Sequence, residues 1–234
     1  MNLKRILYLI YVVLVALPIF VVLTILTAVI SALGSIAGAE RIFGYWPGRI
    51  WSKLTLWVLL IPVKVIGREY LPKDRPTVVA PNHTSAMDIF LLYGYAGVRF
   101  KWVMKGSLRN IPFVGWACEK IGFIFVDNTP SGAKRVVEDC EKAIENGYHI
   151  FMFPEGSRTL TGRLDRLRKG AFKVAMETGV PIVPAKIKGG FEILKRGTWD
   201  LHWGRLSLQF FPPIETDKGK TIEELMQEVR SRLE

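Results

Sequence analysis

The chain has 234 residues, a net charge of +11 at pH 7 and a 50% share of hydrophobic side chains. This length suits one sizeable α/β domain with an appendage. The charge favours an anionic partner such as a phosphorylated substrate or a lipid headgroup, and without a nucleic-acid-binding motif we expect no nucleic-acid partner. The two cysteines, Cys118 and Cys140, have neither a metal-binding nor a redox spacing, so we expect no metal site.

The first long segment is apolar. No charged residue occurs from Ile6 to Ala39, a run of 34 positions, whereas a membrane-spanning helix needs about 20. The run also far exceeds the roughly 7–15 residues of the apolar part of a signal peptide. Because Lys4 and Arg5 precede it and Arg41 follows it, the positive-inside tendency favours both ends on the cytoplasmic side. We therefore expect a monotopic anchor, either a helix that lies shallow or a re-entrant hairpin.

Tryptophan and basic side chains are interleaved in the next segment. Between Tyr45 and Ile66 the chain carries three tryptophans, two lysines and one arginine among aliphatic residues. This composition is typical of an amphipathic interfacial helix, with a buried core helix as the alternative. We assign residues 1–66 to membrane-anchoring helices and residues 67–234 to an α/β domain, on the cytoplasmic face of the cytoplasmic membrane.

Beyond this boundary, short apolar runs alternate with amphipathic stretches. The runs predict six strands, Thr77–Ala80, Lys101–Met104, Phe123–Val126, His149–Phe153, Ile182–Ile187 and Leu206–Phe210. The stretches predict five helices: Asp88–Tyr95, Pro112–Ile121, one with Thr129 as cap and Pro130 first that stops at Gly147, Gly170–Thr178, and Thr221–Leu233. This alternation predicts an α/β fold with a largely parallel central sheet flanked by helices.

A histidine stands five positions before an aspartate directly after the first predicted strand, in Asn82-His83-Thr84-Ser85-Ala86-Met87-Asp88. On one continuous helix, residues five apart lie roughly 140° apart in azimuth and share no face. If His83 lies in a loop and Asp88 in the first turns of a helix, the imidazole can fold back onto the carboxylate. A histidine held by a carboxylate is a common general base near neutral pH. A surface histidine near a capping aspartate is the alternative.

Three further clusters accompany this pair. They are Lys105-Gly106-Ser107-Leu108 with Ile111–Gly115, Pro154-Glu155-Gly156-Ser157-Arg158-Thr159, and Val180-Pro181-Ile182-Val183-Pro184. In the second of these, a glycine lets a ligand approach the backbone, and the planar guanidinium beside it suits phosphate. Hydroxyl groups and backbone amides can complete an anion site, with an ordinary polar turn as the alternative.

The four clusters, in this order, resemble the sequence blocks of the glycerolipid acyltransferase family, and especially of its bacterial 1-acyl-sn-glycerol-3-phosphate acyltransferases. They cover about residues 77–187. The segment from Asn82 to Asp88 looks like the family's His-x4-Asp block, and the segment from Phe153 to Arg158 looks like its third block. One position departs from the pattern, because the chain has Asn128 where the family commonly has arginine.

The resemblance implies transfer of an acyl group from a thioester to the free hydroxyl of lysophosphatidic acid, a membrane lipid, which gives phosphatidic acid. The thioester, acyl-coenzyme A or acyl-carrier protein, would be a co-substrate, and no bound cofactor is expected. His83 would be the general base and Asp88 would orient it, with no acyl-enzyme. The alternatives are another lysophospholipid or glycerol 3-phosphate as acceptor, or a non-catalytic membrane lipid-binding protein.

The same resemblance implies a binding site for the acceptor. Lys105 and Arg158 would bind its phosphate and so orient its hydroxyl. Gly156 and Ser157 belong to the same anion-binding cluster. Glu155 would either contact the glycerol or hold Arg158 in place. The oligomeric state remains open.

Overall fold

A seven-stranded sheet forms the centre of the structure, a computed structural model that describes residues 3–127, 129–216 and 219–234. The strands are β1 Val63–Ile66, β2 Val78–Pro81, β3 Phe100–Lys105, β4 Ile124–Val126, β5 His149–Phe151, β6 Ile182–Lys188 and β7 Leu206–Phe210. Their order in the sheet is β1-β7-β6-β2-β5-β3-β4. All six predicted strands are present within a residue or two of their expected ends.

Five neighbouring strands, β6, β2, β5, β3 and β4, run parallel. β7 pairs antiparallel with β6, and β1 pairs parallel with β7, so these two strands run in the opposite direction. The prediction of a largely parallel sheet is confirmed. Because the five parallel strands end at one edge, the loops that follow them meet there.

Helices cover both faces of this sheet. They are α1 Leu3–Tyr11, α2 Leu17–Ile36, α3 Glu40–Phe43, α4 Trp46–Val58, α5 Met87–Tyr95, α6 Val114–Lys120, α7 Pro130–Glu145, α8 Gly170–Thr178, α9 Gly190–Ile193 and α10 Ile222–Leu233. Val79 packs with α4 and α5 in one apolar cluster, while Val78 and Ala80 pack with α7, α8 and α10 in another. Such burial on both faces is usual for strands of a parallel sheet.

The predicted cap of α7 is present, and α10 begins with a cap that was not predicted. The Thr129 hydroxyl accepts a hydrogen bond from the amide of Gly132 at the start of α7. Thr221 and Glu224 form a reciprocal capping box at the start of α10. Each cap satisfies amides that lack a partner in the first turn of a helix.

The N-terminal segment is one continuous helix. α1, a π-helical turn at Val12–Ala16 and α2 together run from Leu3 to Ile36, 34 residues that are long and apolar enough to cross a membrane by length and composition. Pro18 follows the π turn, and its missing N–H prevents a regular α-helical bond there. The chain does not reverse within the helix, so the structure has the continuous helix and not the re-entrant hairpin that the sequence also allowed.

This long helix lies against the domain, along α4. The Tyr11 hydroxyl donates to the carbonyl of Val58 at 2.7 Å, and the Trp51 indole donates to the Thr24 hydroxyl at 2.9 Å. α4 exposes an apolar stripe of residues that recur every three or four positions: Trp46, Ile50, Leu54 and Trp57. A helix with one exposed apolar face is amphipathic. It therefore differs from the fully buried core helix that was the alternative.

β1 is absent from the predicted strands and lies before the boundary placed at residue 66. Its four residues, Val63–Ile66, extend the apolar and basic segment without a break in composition. Only the pairing with β7, more than 140 positions later in the chain, makes them a strand. The sheet therefore begins on the N-terminal side of that boundary.

Candidate active site

The candidate site residues lie at the ends of three adjacent parallel strands or in the loops that follow them. His83 follows β2, the Glu155–Arg158 segment follows β5, and Lys105 is the last residue of β3. β5 lies between β2 and β3 in the sheet. The fold therefore brings the first three sequence clusters to the carboxyl edge of the sheet, where α/β proteins bind ligands.

His83 and Asp88 are in direct contact. The Nδ1 atom of His83 lies 3.0 Å from Oδ2 of Asp88. Because α5 begins at Met87, the histidine lies in the preceding loop and the aspartate in the first helical turn, as the spacing requires. The same Oδ2 atom accepts hydrogen bonds from the backbone amides of Thr84 at 2.6 Å and Ser85 at 2.8 Å.

These bonds fix the tautomer of the imidazole. The Asp88 side chain is fully buried, and two amides together with the positive end of α5 stabilise its negative charge. The carboxylate can only accept, so Nδ1 of His83 carries a proton and donates it. The Nε2 atom then has a free lone pair, and no described residue bonds to it. It is the atom that can take a proton from a ligand.

An aromatic ring holds the imidazole from one side. The ring of Phe153 stacks on His83 with centroids 3.6 Å apart and planes 11° apart. Trp102 stacks in turn on Phe153 at 5.4 Å and 18°. Phe153 was not among the expected site residues. The one sequence signal for it is an aromatic residue just past the end of a strand, in the third block.

Glu155 binds the backbone of the loop that carries His83. Its Oε1 atom accepts from the amide of His83 at 2.6 Å, and its Oε2 atom accepts from the amide of Asp165 at 2.8 Å. The residue is 3% exposed, and burial raises the pKa of its carboxyl group. Within the described ranges Glu155 forms no ion pair with Arg158, so the expectation that it holds that arginine is not met.

The expected phosphate ligands lie at the same edge with free side chains. Lys105 is exposed, and Ser157 and Arg158 are half-buried. The amide of Thr159 donates to the carbonyl of His83 at 2.9 Å, which fixes Arg158 next to the loop that carries His83. No side-chain hydrogen bond joins Lys105, Ser157 or Arg158 to another described residue. These three side chains are therefore available to a ligand.

Two glycines and the side chain of Asn82 also help to hold the loop that carries His83 in place. Gly156 has a φ of +71°, a left-handed conformation that favours glycine. At Gly190 a Cβ atom would lie 2.6 Å from Oδ1 of Asp88, so α9 approaches the carboxylate closely. The Asn82 side chain both donates to the carbonyl and accepts from the amide of Ile187 in β6. The predicted departure at Asn128 lies outside the described residues.

The two other histidines differ from His83 in their surroundings. His149 is buried and contacts the Thr77 hydroxyl, and burial lowers its pKa to about 4. His202 lies 3.0 Å from Asp200, but its side chain is 40% exposed and that of the aspartate 53%. Across the part of the chain that the structure describes, no three histidine, cysteine, aspartate or glutamate side chains are grouped so as to hold a metal ion.

Known acyltransferase sequences are similar to this chain. The sequence model of the family described as Acyltransferase matches residues 62–188. A chloroplastic 1-acyl-sn-glycerol-3-phosphate acyltransferase of Arabidopsis thaliana is 31% identical over 197 residues, which cover 83% of this chain and 54% of the relative. The 1-acyl-sn-glycerol-3-phosphate acyltransferase of Borreliella burgdorferi is 34% identical over 137 residues, 58% of this chain and 54% of that relative. The chain thus spans about half the length of these relatives.

A solved structure shares the fold. The 1-acyl-sn-glycerophosphate (LPA) acyltransferase PlsC from Thermotoga maritima is similar with a TM-score of 0.82 at 26% sequence identity. The match covers 98% of this chain and 93% of that one. The similarity therefore includes the N-terminal helix as well as the α/β domain.

Proposed function

Because the chain belongs to the acyltransferase family, we propose that it moves a fatty acyl group from a thioester to the sn-2 hydroxyl of 1-acyl-sn-glycerol 3-phosphate. The product is phosphatidic acid. The observation that carries this proposal is the contact of His83 with the buried carboxylate of Asp88, 3.0 Å apart, which leaves Nε2 free to act as a base. A non-catalytic lipid-binding protein has no use for this arrangement.

The first step activates the acceptor. A secondary alcohol is a poor nucleophile near pH 7, and Nε2 of His83 removes its proton as the oxygen attacks the thioester carbonyl. Asp88 stabilises the imidazolium that forms but takes no proton itself. The substrate hydroxyl occupies the place that a serine nucleophile has in a hydrolase, so no acyl-enzyme is formed.

The second step releases the donor. When the tetrahedral intermediate collapses, the carbon–sulfur bond breaks and the new ester bond remains. The leaving thiolate takes the proton from the His83 imidazolium, which returns the base to its starting state. The stacked ring of Phe153 holds the imidazole in one orientation through both steps.

The acceptor is oriented through its phosphate. Lys105 and Arg158 supply positive charge at the carboxyl edge, and the Arg158 fork suits two phosphate oxygens. The Ser157 hydroxyl supplies a further donor, and Gly156, which has no side chain, lets the phosphate approach the backbone closely. Glu155 acts through the catalytic loop, because both of its oxygens already bind backbone amides.

The donor is a thioester of coenzyme A or of acyl-carrier protein. Both carriers are anionic, and the loop after β5 carries four arginines with no carboxylate partner among the described residues: Arg158, Arg163, Arg166 and Arg168. Such a loop attracts a negative donor by long-range electrostatics. Turnover with each purified donor distinguishes the two carriers.

The protein acts on the cytoplasmic face of the cytoplasmic membrane. The apolar helix Leu3–Ile36 contacts α4 through Tyr11 and Thr24, and its apolar run lies between Arg5 and Arg41. A monotopic helix of this kind keeps the active site at the lipid surface. Protease protection in sealed vesicles tests this arrangement, and ends on opposite sides of the bilayer would contradict it.

Replacement of His83 by alanine tests the mechanism. With lysophosphatidic acid and the preferred thioester in detergent micelles, we expect kcat to fall by about 10²–10⁴-fold, the usual contribution of a general base. The matched control is His202→Ala, which removes the histidine of the exposed pair with Asp200 and is expected to keep wild-type turnover. Comparable turnover by His83→Ala would overturn the mechanism. Binding of lysophosphatidic acid with no turnover by the wild type would favour the non-catalytic alternative.

A further inference from the structure

A second basic pocket lies at the amino edge of the sheet, opposite the candidate active site. Its volume is about 550 Å³. Arg99 directly precedes β3 and His149 is the first residue of β5, and both line this pocket. The length of the central strands therefore separates it from His83. The acyl-transfer reaction proposed above makes no use of it.

Four cations converge on this pocket: Arg41, Arg49, Lys73 and Arg99. Among the described residues that line it there is no carboxylate, and none of the four cations forms an ion pair with a described residue. Glu40 is adjacent in sequence, but its carboxylate accepts from Lys101. The positive charge of the pocket is therefore not neutralised from within the protein.

The two other titratable residues in the wall, His149 and Tyr45, do not change this charge balance near neutral pH. Burial lowers the pKa of His149 to about 4, so its imidazole is neutral. Burial also raises the pKa of the Tyr45 hydroxyl, which stays protonated. An anion that enters the pocket meets four positive groups and no negative one.

Aromatic contacts hold one of the cations in place. Arg49 donates to the Tyr45 hydroxyl at 3.3 Å, and its guanidinium lies 5.2 Å from the centre of the Trp46 ring. A stacked guanidinium loses little conformational freedom when it binds an oxyanion. This wall of the pocket is therefore preorganised for binding an anion.

The mouth of the pocket is apolar and continuous with the exposed face of α4. Ile42 is 56% exposed and Trp46 is 49% exposed, and both line the pocket. Ile50 continues the same exposed stripe one turn later. Tryptophan beside arginine on an apolar surface is the pattern found at the level of lipid headgroups. A molecule with a negative head and an apolar body would match both the charge of the pocket and its apolar mouth.

We propose that this pocket binds the phosphate of an anionic membrane lipid, with the acyl chains lying along Ile42, Trp46 and Ile50. The site is separate from the acceptor site at Lys105 and Arg158. It rests on the proposed membrane location of the helices and not on acyl transfer. It fixes the end of the domain remote from the active site against the lipid surface.

Neutralisation of the three exposed cations tests this proposal. In the triple variant Arg41→Gln, Lys73→Gln, Arg99→Gln, all three side chains are exposed and Arg49 keeps its ring contacts. We expect co-sedimentation with vesicles of phosphatidylcholine and phosphatidylglycerol to weaken by about tenfold or more, since each of the three cations is attracted to the anionic surface. Binding to pure phosphatidylcholine vesicles stays unchanged, because the apolar stripe is intact.

The matched control removes the same charge elsewhere. The control variant carries three substitutions, Lys173→Gln, Lys220→Gln and Arg230→Gln. The native residues at these positions lie on or next to the helices that cover the other face of the sheet, and each is paired with a partly exposed carboxylate. This variant is expected to bind anionic vesicles close to the wild-type level. Equal losses in both triple variants would overturn the proposal, because net charge alone would then explain the binding.

A further experiment distinguishes a lipid headgroup from free phosphate as the ligand of the pocket. Titration of the wild type with inorganic phosphate in a calorimeter is expected to give no saturable binding, because the apolar part of the ligand is missing. Saturable binding of inorganic phosphate that is lost in the pocket variant, with unchanged binding to anionic vesicles, would contradict a lipid site. Turnover on substrate in neutral detergent micelles is expected to be unaffected by the pocket variant, which keeps this test independent of the proposed reaction.

Discussion

Two histidine–aspartate contacts of equal length show that a residue's surroundings decide its chemistry. His83 and Asp88 are 3.0 Å apart, and so are His202 and Asp200. Asp88 is fully buried and binds two backbone amides, whereas Asp200 is exposed and is shared with Arg5. The buried pair is held in one geometry by the fold. The exposed pair is weakened by solvent and by the entropy that is lost when two exposed side chains are held in one geometry.

The ring of Phe153 offers a test of how tightly the base must be held. We expect Phe153→Leu to keep most of the side-chain volume and to lose the stack on His83, worth about 0.5–1.5 kcal/mol for an aromatic pair. If the stack orients the imidazole for the transition state, kcat falls by up to about tenfold and KM stays near the wild-type value. Steady-state kinetics with lysophosphatidic acid measure kcat and KM separately.

A phenylalanine outside the site serves as the control. Phe125 lies on β4, where its ring is covered by the Arg109 guanidinium at 4.4 Å. Phe125→Leu is expected to change neither kinetic constant. A rise in KM without a fall in kcat in Phe153→Leu would mean that the ring contacts the substrate and does not position the base.

Among the elements, the long N-terminal helix depends on small side chains where it meets the domain. Ala28 and Ala32 of α2 pack on Ala117 of α6 and form a buried cluster of their own. Ala32 has no exposed surface. Such residues let two helices approach closely, so a larger side chain at this contact has no room.

The substitution Ala32→Leu is therefore expected to separate the two helices. Overpacking of this kind costs about 1–3 kcal/mol, and we expect a lower free energy of unfolding in urea in the presence of a non-ionic detergent. The neighbouring Leu33 is 55% exposed, so Leu33→Ala is the control and should leave that free energy nearly unchanged. An unchanged stability of Ala32→Leu would show that the helix does not dock on α6 in this way.

The elements that the sequence predicts are those with local signals. α8 is found at its predicted residues, Gly170–Thr178, and the caps at Thr129 and Thr221 mark the starts of α7 and α10. The expected strand His149–Phe153 ends at Phe151, because Phe153 leaves the ladder to stack on His83. The reversed direction of β7 and β1 has no local signal, since it depends on how distant strands pair.

The same limit applies to the candidate site. The contact between His83 and Asp88 follows from five residues of spacing and the start of a helix, all within one short segment. The bonds from Glu155 to the amides of His83 and Asp165 join parts of the chain that are 72 and 10 residues away. No spacing rule predicts the bond to His83, because that pairing is set by the order of β2 and β5 in the sheet.

Over the whole molecule, one apolar side joins the two edges of the sheet. Exposed residues of α4 run from Trp46 near the amino edge to Trp57 near the carboxyl edge. Trp203 lies at the carboxyl end of this side, where its indole donates to the carbonyl of Leu60. Contact along this side would leave the active site and the basic pocket at the same lipid surface, at opposite ends of the domain.

The stability of the whole molecule is expected to fall in mild acid because of one buried histidine. His149 is 4% exposed, and burial lowers its pKa from 6.5 to about 4. Between these two values the unfolded chain binds a proton that the folded chain does not, so protons favour unfolding and stability decreases as the pH falls from 6.5 towards 4. Between pH 7 and about pH 4.5 this group alone removes about 2 kcal/mol of unfolding free energy.

Urea unfolding of His149→Gln at both pH values isolates this contribution. The variant loses the titrating group, so its unfolding free energy should decrease by about 2 kcal/mol less than that of the wild type over the same interval. His202→Gln is the control, because that histidine is exposed and its removal should leave the wild-type pH dependence in place. If His149→Gln and the wild type lose the same stability in acid, the imidazole is not buried in its neutral form, and carboxylates elsewhere in the chain account for the acid sensitivity.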